Sequence, residues 1–255
     1  MRRAILAALV ASMAAAGCGG GAAASGGELT VLAAASLTDA FTEIGEDFEA
    51  TARSAAVRFS FGPSDGVAQQ IVQGSPADVF ASASGRWMDF VEDGGAALVA
   101  RADFARNTPV VIVPADNPAG IDELADLGAE GVRLVLAAEG VPIGDYAREI
   151  LANAGIADRA LGNLVSNEED VKAVVQKVFL GEADAGIAYA TDVTDDVRER
   201  IRQIDIDPDM NVIAAYPIAA IADSPNLDTA RDFVAYVLTE DGQAVLRSYG
   251  FLPPG

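Results

Sequence analysis

Apolar positions along the chain follow two alternating periods. Leu37, Phe41, Ile44 and Phe48 recur at three- and four-residue spacing, which predicts an amphipathic helix. Val57, Phe59 and Phe61 then alternate with polar neighbours, as a half-buried strand does. The same switch repeats down the sequence. Short apolar strands are predicted at 29–33, 79–82, 110–113, 134–136 and 185–189. Helical spacing marks Val67 with Ile71, Trp87 with Phe90 and Val91, Ala147 with Ile150, Leu151 and Ala154, and Val171 with Val174, Val175 and Val178. Gly155 and Gly181 close two of these helices. Residues 212–222 form a long apolar run interrupted by Pro217, and the last helices carry Phe233, Val234 and Val237, then Ala244, Val245 and Leu246. Strands alternating with helices predict an α/β fold of parallel β-α-β units with helices on both sheet faces.

At 255 residues the chain can form one large domain or two smaller lobes. There is no internal repeat and no low-complexity linker between lobes. Two lobes would therefore be joined by short extended crossings. Asn107-Thr108-Pro109 and Tyr216-Pro217 suit that role, because a proline holds the preceding residue extended.

The first residues follow a different logic. Arg2 and Arg3 precede an apolar stretch, Ala4 to Ala16, that is too short to span a bilayer as a mature helix. Ala15-Ala16-Gly17-Cys18 resembles a bacterial lipobox, so residues 1–17 are predicted to be a signal peptide and Cys18 a lipidation site; a plain secretory signal is the alternative. Residues 18–27 then form the lipidated cysteine and a flexible Gly/Ala/Ser tether. Stable anchoring requires more than one acyl chain.

Composition narrows the chemistry. The formal charge is −21, from 17 basic and 38 acidic side chains. Such a chain repels nucleic acid and anionic lipid, and it also repels a small anion at long range. Any anion site must then work through local dipoles. There is no histidine, so a Ser-His-Asp triad, a Cys-His pair and a His-based metal site are all excluded. One cysteine, Cys18, cannot make an intramolecular disulfide.

Four turns between a predicted strand and a predicted helix could present unpaired helix N-terminal amides, which bind anions. They are Ala35-Ser36-Leu37-Thr38, Pro63-Ser64-Asp65-Gly66, Val141-Pro142-Ile143-Gly144 and Asn167-Glu168-Glu169-Asp170. Ser36 and Ser64 read equally well as ordinary N-caps. Tyr189, at the end of an apolar strand, reads equally well as a half-buried aromatic. Ser166-Asn167-Glu168-Glu169 fits a capping box. That register would draw the Val171 amide inside the helix; a helix starting at Glu169 or Asp170 leaves the amide exposed, and this second register is the one expected.

Several segments, in order, are similar to the periplasmic molybdate-binding proteins. They are 33–38, Phe61-Gly62-Pro63-Ser64-Asp65-Gly66 and the helix after it, Gly74-Ser75-Pro76-Ala77-Asp78-Val79-Phe80, Asn107-Thr108-Pro109-Val110-Val111, 141–147, and Glu169-Asp170-Val171 on to Asp192. The resemblance covers about residues 28–255. It implies a two-lobed type II periplasmic-binding-protein fold, with mixed sheets flanked by helices and a ligand cleft between lobes. Lobe one would comprise 28–106 and 217–255, and lobe two 107–216. The ligand set it implies is the hydroxyls and amides of Ser36 and Ser64, the amides of Ile143 and Val171, and the hydroxyl of Tyr189. The implied ligand is molybdate, with tungstate as its near-isostere, and no metal ion would be ligated directly. The implied partner is the permease of an ABC importer. The protein would act as an exported, membrane-anchored monomer without enzymatic activity or cofactor. Rival readings are the same fold binding sulfate, phosphate or a ferric chelate, or a lipid-anchored hydrolase or transferase.

Overall fold

The computed structural model describes residues 27–51 and 56–255. The signal peptide, Cys18 and all but the last residue of the tether lie outside these residues. Chain order begins with β1 (Leu29–Ala34), α1 (Thr38–Ala50), β2 (Val57–Gly62), α2 (Ser64–Val72), β3 (Val79–Ala81), α3 (Gly85–Asp93) and β4 (Leu98–Asn107). It continues with β5 (Pro109–Pro114), β6 (Leu134–Ala137), α4 (Pro142–Asn153), α5 (Ala157–Gly162), β7 (Leu164–Glu168), α6 (Val171–Phe179), β8 (Ala185–Tyr189) and β9 (Ile201–Ile204). The last elements are β10 (Ala214–Ile221), α7 (Leu227–Val237) and α8 (Glu240–Ser248).

These strands form two five-stranded sheets, ordered β2-β1-β3-β10-β4 and β7-β6-β8-β5-β9. The sheets are mixed, not wholly parallel. In the first, β1 runs parallel to β2 and β3, while β10 is antiparallel to both β3 and β4. In the second, β6 runs parallel to β7 and β8, while β5 is antiparallel to β8 and β9. The chain leaves the first sheet between Asn107 and Pro109 and returns between Ile204 and Ala214. The return precedes Tyr216-Pro217, which lies inside β10. A proline is normally kept out of a central strand because it cannot donate to the ladder. Here a register shift against β4 falls between Tyr216 and Pro217, and the Pro217 carbonyl still accepts from Ser82 N–H at 2.9 Å.

Helical spacing becomes burial. Leu37, Phe41, Ile44 and Phe48 put one face of α1 and its entry turn into the core, where the rings of Phe41 and Phe48 meet Phe233 with centroids 6.2 and 5.3 Å apart. Helix α6 buries Val171, Val174, Val175 and Val178 in the same way. It starts at Val171, one or two residues later than expected, and the capping box at Ser166 does not form: Ser166 lies in β7, where its hydroxyl donates to Glu168.

Candidate functional site

Each of the four turns delivers its residues to one place between the sheets. Ser36, Ser64, Ile143, Val171 and Tyr189 all line a single cavity. The space open to the centre of a water-sized guest is about 20 Å³, a little above the ~10–15 Å³ that one such guest requires. That is the scale of one compact ion. All five residues are buried.

The helices present their donors differently. Pro63, not Ser64, occupies the N-cap of α2, and no side chain caps that helix. Ser64 is thus the first helical residue, with its amide in the unpaired first turn. Its Oγ accepts the Ala83 N–H at 3.1 Å, so its own proton is free for the cavity. Helix α4 opens with Pro142, which has no N–H to leave unpaired, and again no side chain caps it. Ile143 follows with a first-turn amide. In α6, Asp170 is the N-cap and its Oδ1 accepts the N–H of Ala173 at 2.9 Å. That bond satisfies the third amide and leaves the first, on Val171, available. The competing roles of cap and ligand donor are thereby separated.

Ser36 sits in a 3-10 turn, Ala35–Leu37, just ahead of α1. Its Oγ lies 2.9 Å from the Tyr216 hydroxyl. Tyr189 ends β8 at the cavity wall, and its hydroxyl is buried without a hydrogen-bond partner. Burial holds the phenols of both Tyr189 and Tyr216 far above their ordinary pKa, so both remain protonated. No Lys or Arg lines the cavity; its ionisable side chains are Asp170, engaged as a cap, and Tyr189. Asp65 does not reach it, although the Asp65 Oδ1 is buried nearby in the first turn of α2 without a partner.

Contacts across the cleft hold the lobes together. The Trp87 indole N–H donates to Gly140 O at 2.8 Å, Arg86 pairs with Asp145 at 2.8 Å, and the Tyr146 hydroxyl lies 3.4 Å from Ala83 O. On the other side of the cavity Lys172 pairs with Asp39 at 3.1 Å. Behind Tyr189, the fully buried Asp192 carboxylate accepts the Tyr189 N–H at 3.3 Å. Burial raises its pKa to about 7, against the opposing pull of Lys172 at 3.9 Å. Sequence reasoning did not single out Tyr216, Asn107, Ala83 or Asp192. For Asn107 and Tyr216 a signal existed: both flank the prolines taken as crossing points, and both carry polar groups on apolar strands.

Two mixed sheets facing one another across a closed cleft, with neutral donors converging from helix N-termini, define a two-lobed type II solute-binding protein. The comparisons place it further: the chain belongs to the bacterial extracellular solute-binding proteins, whose family profile matches residues 29–252. It is 38% identical over 226 residues to the molybdate-binding protein ModA of Mycobacterium tuberculosis, covering 89% of this chain and 85% of that one. It is 30% identical to a Bacillus subtilis protein provisionally named an ABC transporter substrate-binding lipoprotein, covering 88% and 85% of the two chains. The solved substrate-binding domain of a provisionally assigned molybdenum ABC transporter from Clostridium difficile superposes with a TM-score of 0.69. The match has 31% identity and covers 90% of this chain and all of that one. Among the described residues, no helix is long and apolar enough to cross a membrane.

Proposed function

We infer that this protein captures a tetrahedral oxyanion, molybdate and with it tungstate, outside the cytoplasm and delivers it to the permease of an ABC importer. One observation carries the reading: five residues with neutral donor groups, from four separate turns and a strand end, converge on a cavity of single-ion size with no basic side chain in its wall. A fully ionised oxyanion has no proton to give, so a wall made of N–H and O–H donors matches it on every side. The first turns of α2, α4 and α6 add the positive ends of their helix dipoles, each contributing about 0.3–1 kcal/mol when exposed and more when desolvated. Binding through dipoles also suits a chain whose overall charge repels anions. The names of the relatives support molybdate as the ligand. The donors we assign are the hydroxyls and amides of Ser36 and Ser64, the amides of Ile143 and Val171, and the hydroxyl of Tyr189, with lobe one supplying the first two residues. We further read the chain as a monomer anchored through a lipidated Cys18, with no catalytic role.

Titration calorimetry with molybdate, tungstate, sulfate and phosphate at fixed ionic strength tests the reading. Tight binding of the first two and weak binding of the others is expected. Preference for sulfate or phosphate would transfer the protein to another anion, and no binding by any of the four would overturn it.

A further inference from the structure

Tyr216 does not line the cavity, yet its hydroxyl touches a residue that does. The direction of each proton in this contact can be worked out. Asn107 is buried at the end of β4, and its Oδ1 accepts the Thr108 N–H at 2.9 Å. That bond fixes the orientation of the amide, so Nδ2 faces inward. Nδ2 donates to the Tyr216 hydroxyl at 3.3 Å and to Thr191 Oγ1 at 2.8 Å. With an N–H arriving from Asn107, the Tyr216 oxygen acts as acceptor, and its own proton needs an acceptor elsewhere. Ser36 Oγ, at 2.9 Å, is within hydrogen-bond distance; the neighbouring Tyr189 hydroxyl, on a ring 5.8 Å away between centroids, interacts with Tyr216 from beyond that distance. Were Ser36 the donor instead, the buried Tyr216 proton would have only the more distant Tyr189 hydroxyl to go to, a poorer bond for a buried donor. The chain of donation therefore runs Asn107 to Tyr216 to Ser36, and the Ser36 proton is left to point into the cavity.

We propose that Tyr216, oriented by Asn107, is a positioning residue for anion binding: it turns the Ser36 hydroxyl into a donor aimed at the ligand. The inference rests on the reading of Ser36 as a ligand donor. It also explains why a phenol is buried at this point of β10. Asn107 and Tyr216 lie on the two strands next to the interlobe crossings, with Ala214 paired to Asn107 and Tyr216 to Ala105. Through Thr191 the same amide also touches the other lobe.

The test is a double-mutant cycle read by calorimetry with molybdate. Tyr216→Phe keeps the ring and deletes the hydroxyl, freeing Ser36 to rotate; affinity should fall roughly three- to ten-fold. In a Ser36→Ala background the same change should alter affinity by less than about two-fold, because there is no longer a hydroxyl to orient. Wild-type affinity in Tyr216→Phe, with Ser36→Ala weakened, overturns the proposal and leaves the anion reading standing. An equal loss in both backgrounds also overturns it, since the role would then be packing alone. Wild-type affinity in Ser36→Ala removes Ser36 from the ligand set and the proposal with it. If Tyr216→Phe does not fold, Asn107→Ala carries the same cycle, with a smaller loss and the same disappearance in the Ser36→Ala background expected.

Discussion

The two lobes share one topology but present their donors by different means. In each sheet three parallel strands are ordered second-first-third, and an antiparallel strand inserts beside the third. In the proposed donor set lobe one contributes side-chain hydroxyls as well as amides, and each hydroxyl has a neighbour in hydrogen-bond contact: Ser64 with the Ala83 amide, Ser36 with Tyr216. Lobe two contributes mainly backbone amides to that set, on Ile143 and Val171, whose placement depends on the position of the helix. On that proposal, side chains share recognition with backbone in the first lobe, while helix placement carries most of it in the second. Substitutions in the first lobe should act on affinity with the fold intact. Those in the second should act on the fold, or on nothing the ligand can detect.

The largest effect is expected where the second lobe's helix placement is attacked. Gly144 lies in the first turn of α4, packed on the end of β6. A Cβ there would stand 2.2 Å from the Ala138 carbonyl oxygen and 2.5 Å from that of Ala137. Both obstacles are backbone and cannot swing aside. Gly144→Ala should cost about 3 kcal/mol or more in stability by overpacking, and should displace the Ile143 amide enough to abolish molybdate binding. A melting temperature and affinity matching wild type would show that α4 is not held this tightly.

Next comes the exception within lobe two, Tyr189, whose strand end is held by Asp192. The Asp192 carboxyl has a pKa near 7 in the folded protein because it is buried, against an ordinary value of about 3.9. Between about pH 4 and pH 7 the folded state keeps a proton that the unfolded state has released, so stability falls as pH rises through this window and stays low above it. Asp192→Asn keeps an acceptor for the Tyr189 amide and removes the charge. Relative to wild type, it should gain on the order of 2–4 kcal/mol at pH 8 and little at pH 4. Thermal melts at both pH values decide; parallel profiles for the two proteins would place the titration elsewhere.

How much of this was legible in the sequence depends on where a residue sits. The central strands β1, β3, β5, β6 and β8 and the helices with one buried face left clear apolar periods. The missed strands, β4, β7 and β9, are all sheet edges. β4 has exposed residues such as Ala100, Arg101 and Asp103 among its buried ones, so no apolar alternation survives. The antiparallel insertion of β5 and β10 was hidden from the apolar pattern, which carries no strand direction; the mixed sheets were implied by the family resemblance alone. The five candidate ligand residues came from motif resemblance, and the structure brings all of them to one cavity. The roles of their supports, Asn107, Tyr216, Ala83 and Asp192, show only in the fold, although Asn107 and Tyr216 already stood out beside the crossing prolines: each acts through a contact with a residue 3 to 180 positions away.

The last two predictions set one lobe directly against the other, with the smallest effects expected on binding. Ser64→Ala removes the hydroxyl donor and leaves the amide. A hydrogen bond to a charged group contributes roughly 1.5–3 kcal/mol, so molybdate affinity should fall about ten- to a hundred-fold. Ser64 is not the cap of α2, since Pro63 holds that position, so the helix itself loses little; the buried Ala83 N–H, however, loses its acceptor, which should lower stability by about 1–3 kcal/mol. Ile143→Ala should do the reverse. The Ile143 side chain is buried in the hydrophobic core that also contains Val141, Ala147 and Val171. Truncating it leaves a cavity and should lower stability by about 2–5 kcal/mol. Its amide, however, is placed by Pro142 and by the packing of Gly144 on β6, neither of which the truncation touches. At a temperature where both proteins are folded, molybdate affinity of Ile143→Ala should stay within about 0.5 kcal/mol of wild type, as for changes that spare the key contact. Calorimetry and melting curves on the pair give four numbers. The expected result is a large affinity loss with a modest stability loss for Ser64→Ala, and a larger stability loss with affinity kept for Ile143→Ala. Comparable affinity losses in both would mean that the Ile143 side chain itself shapes the ligand cavity, and the division of labour between the lobes would have to be abandoned.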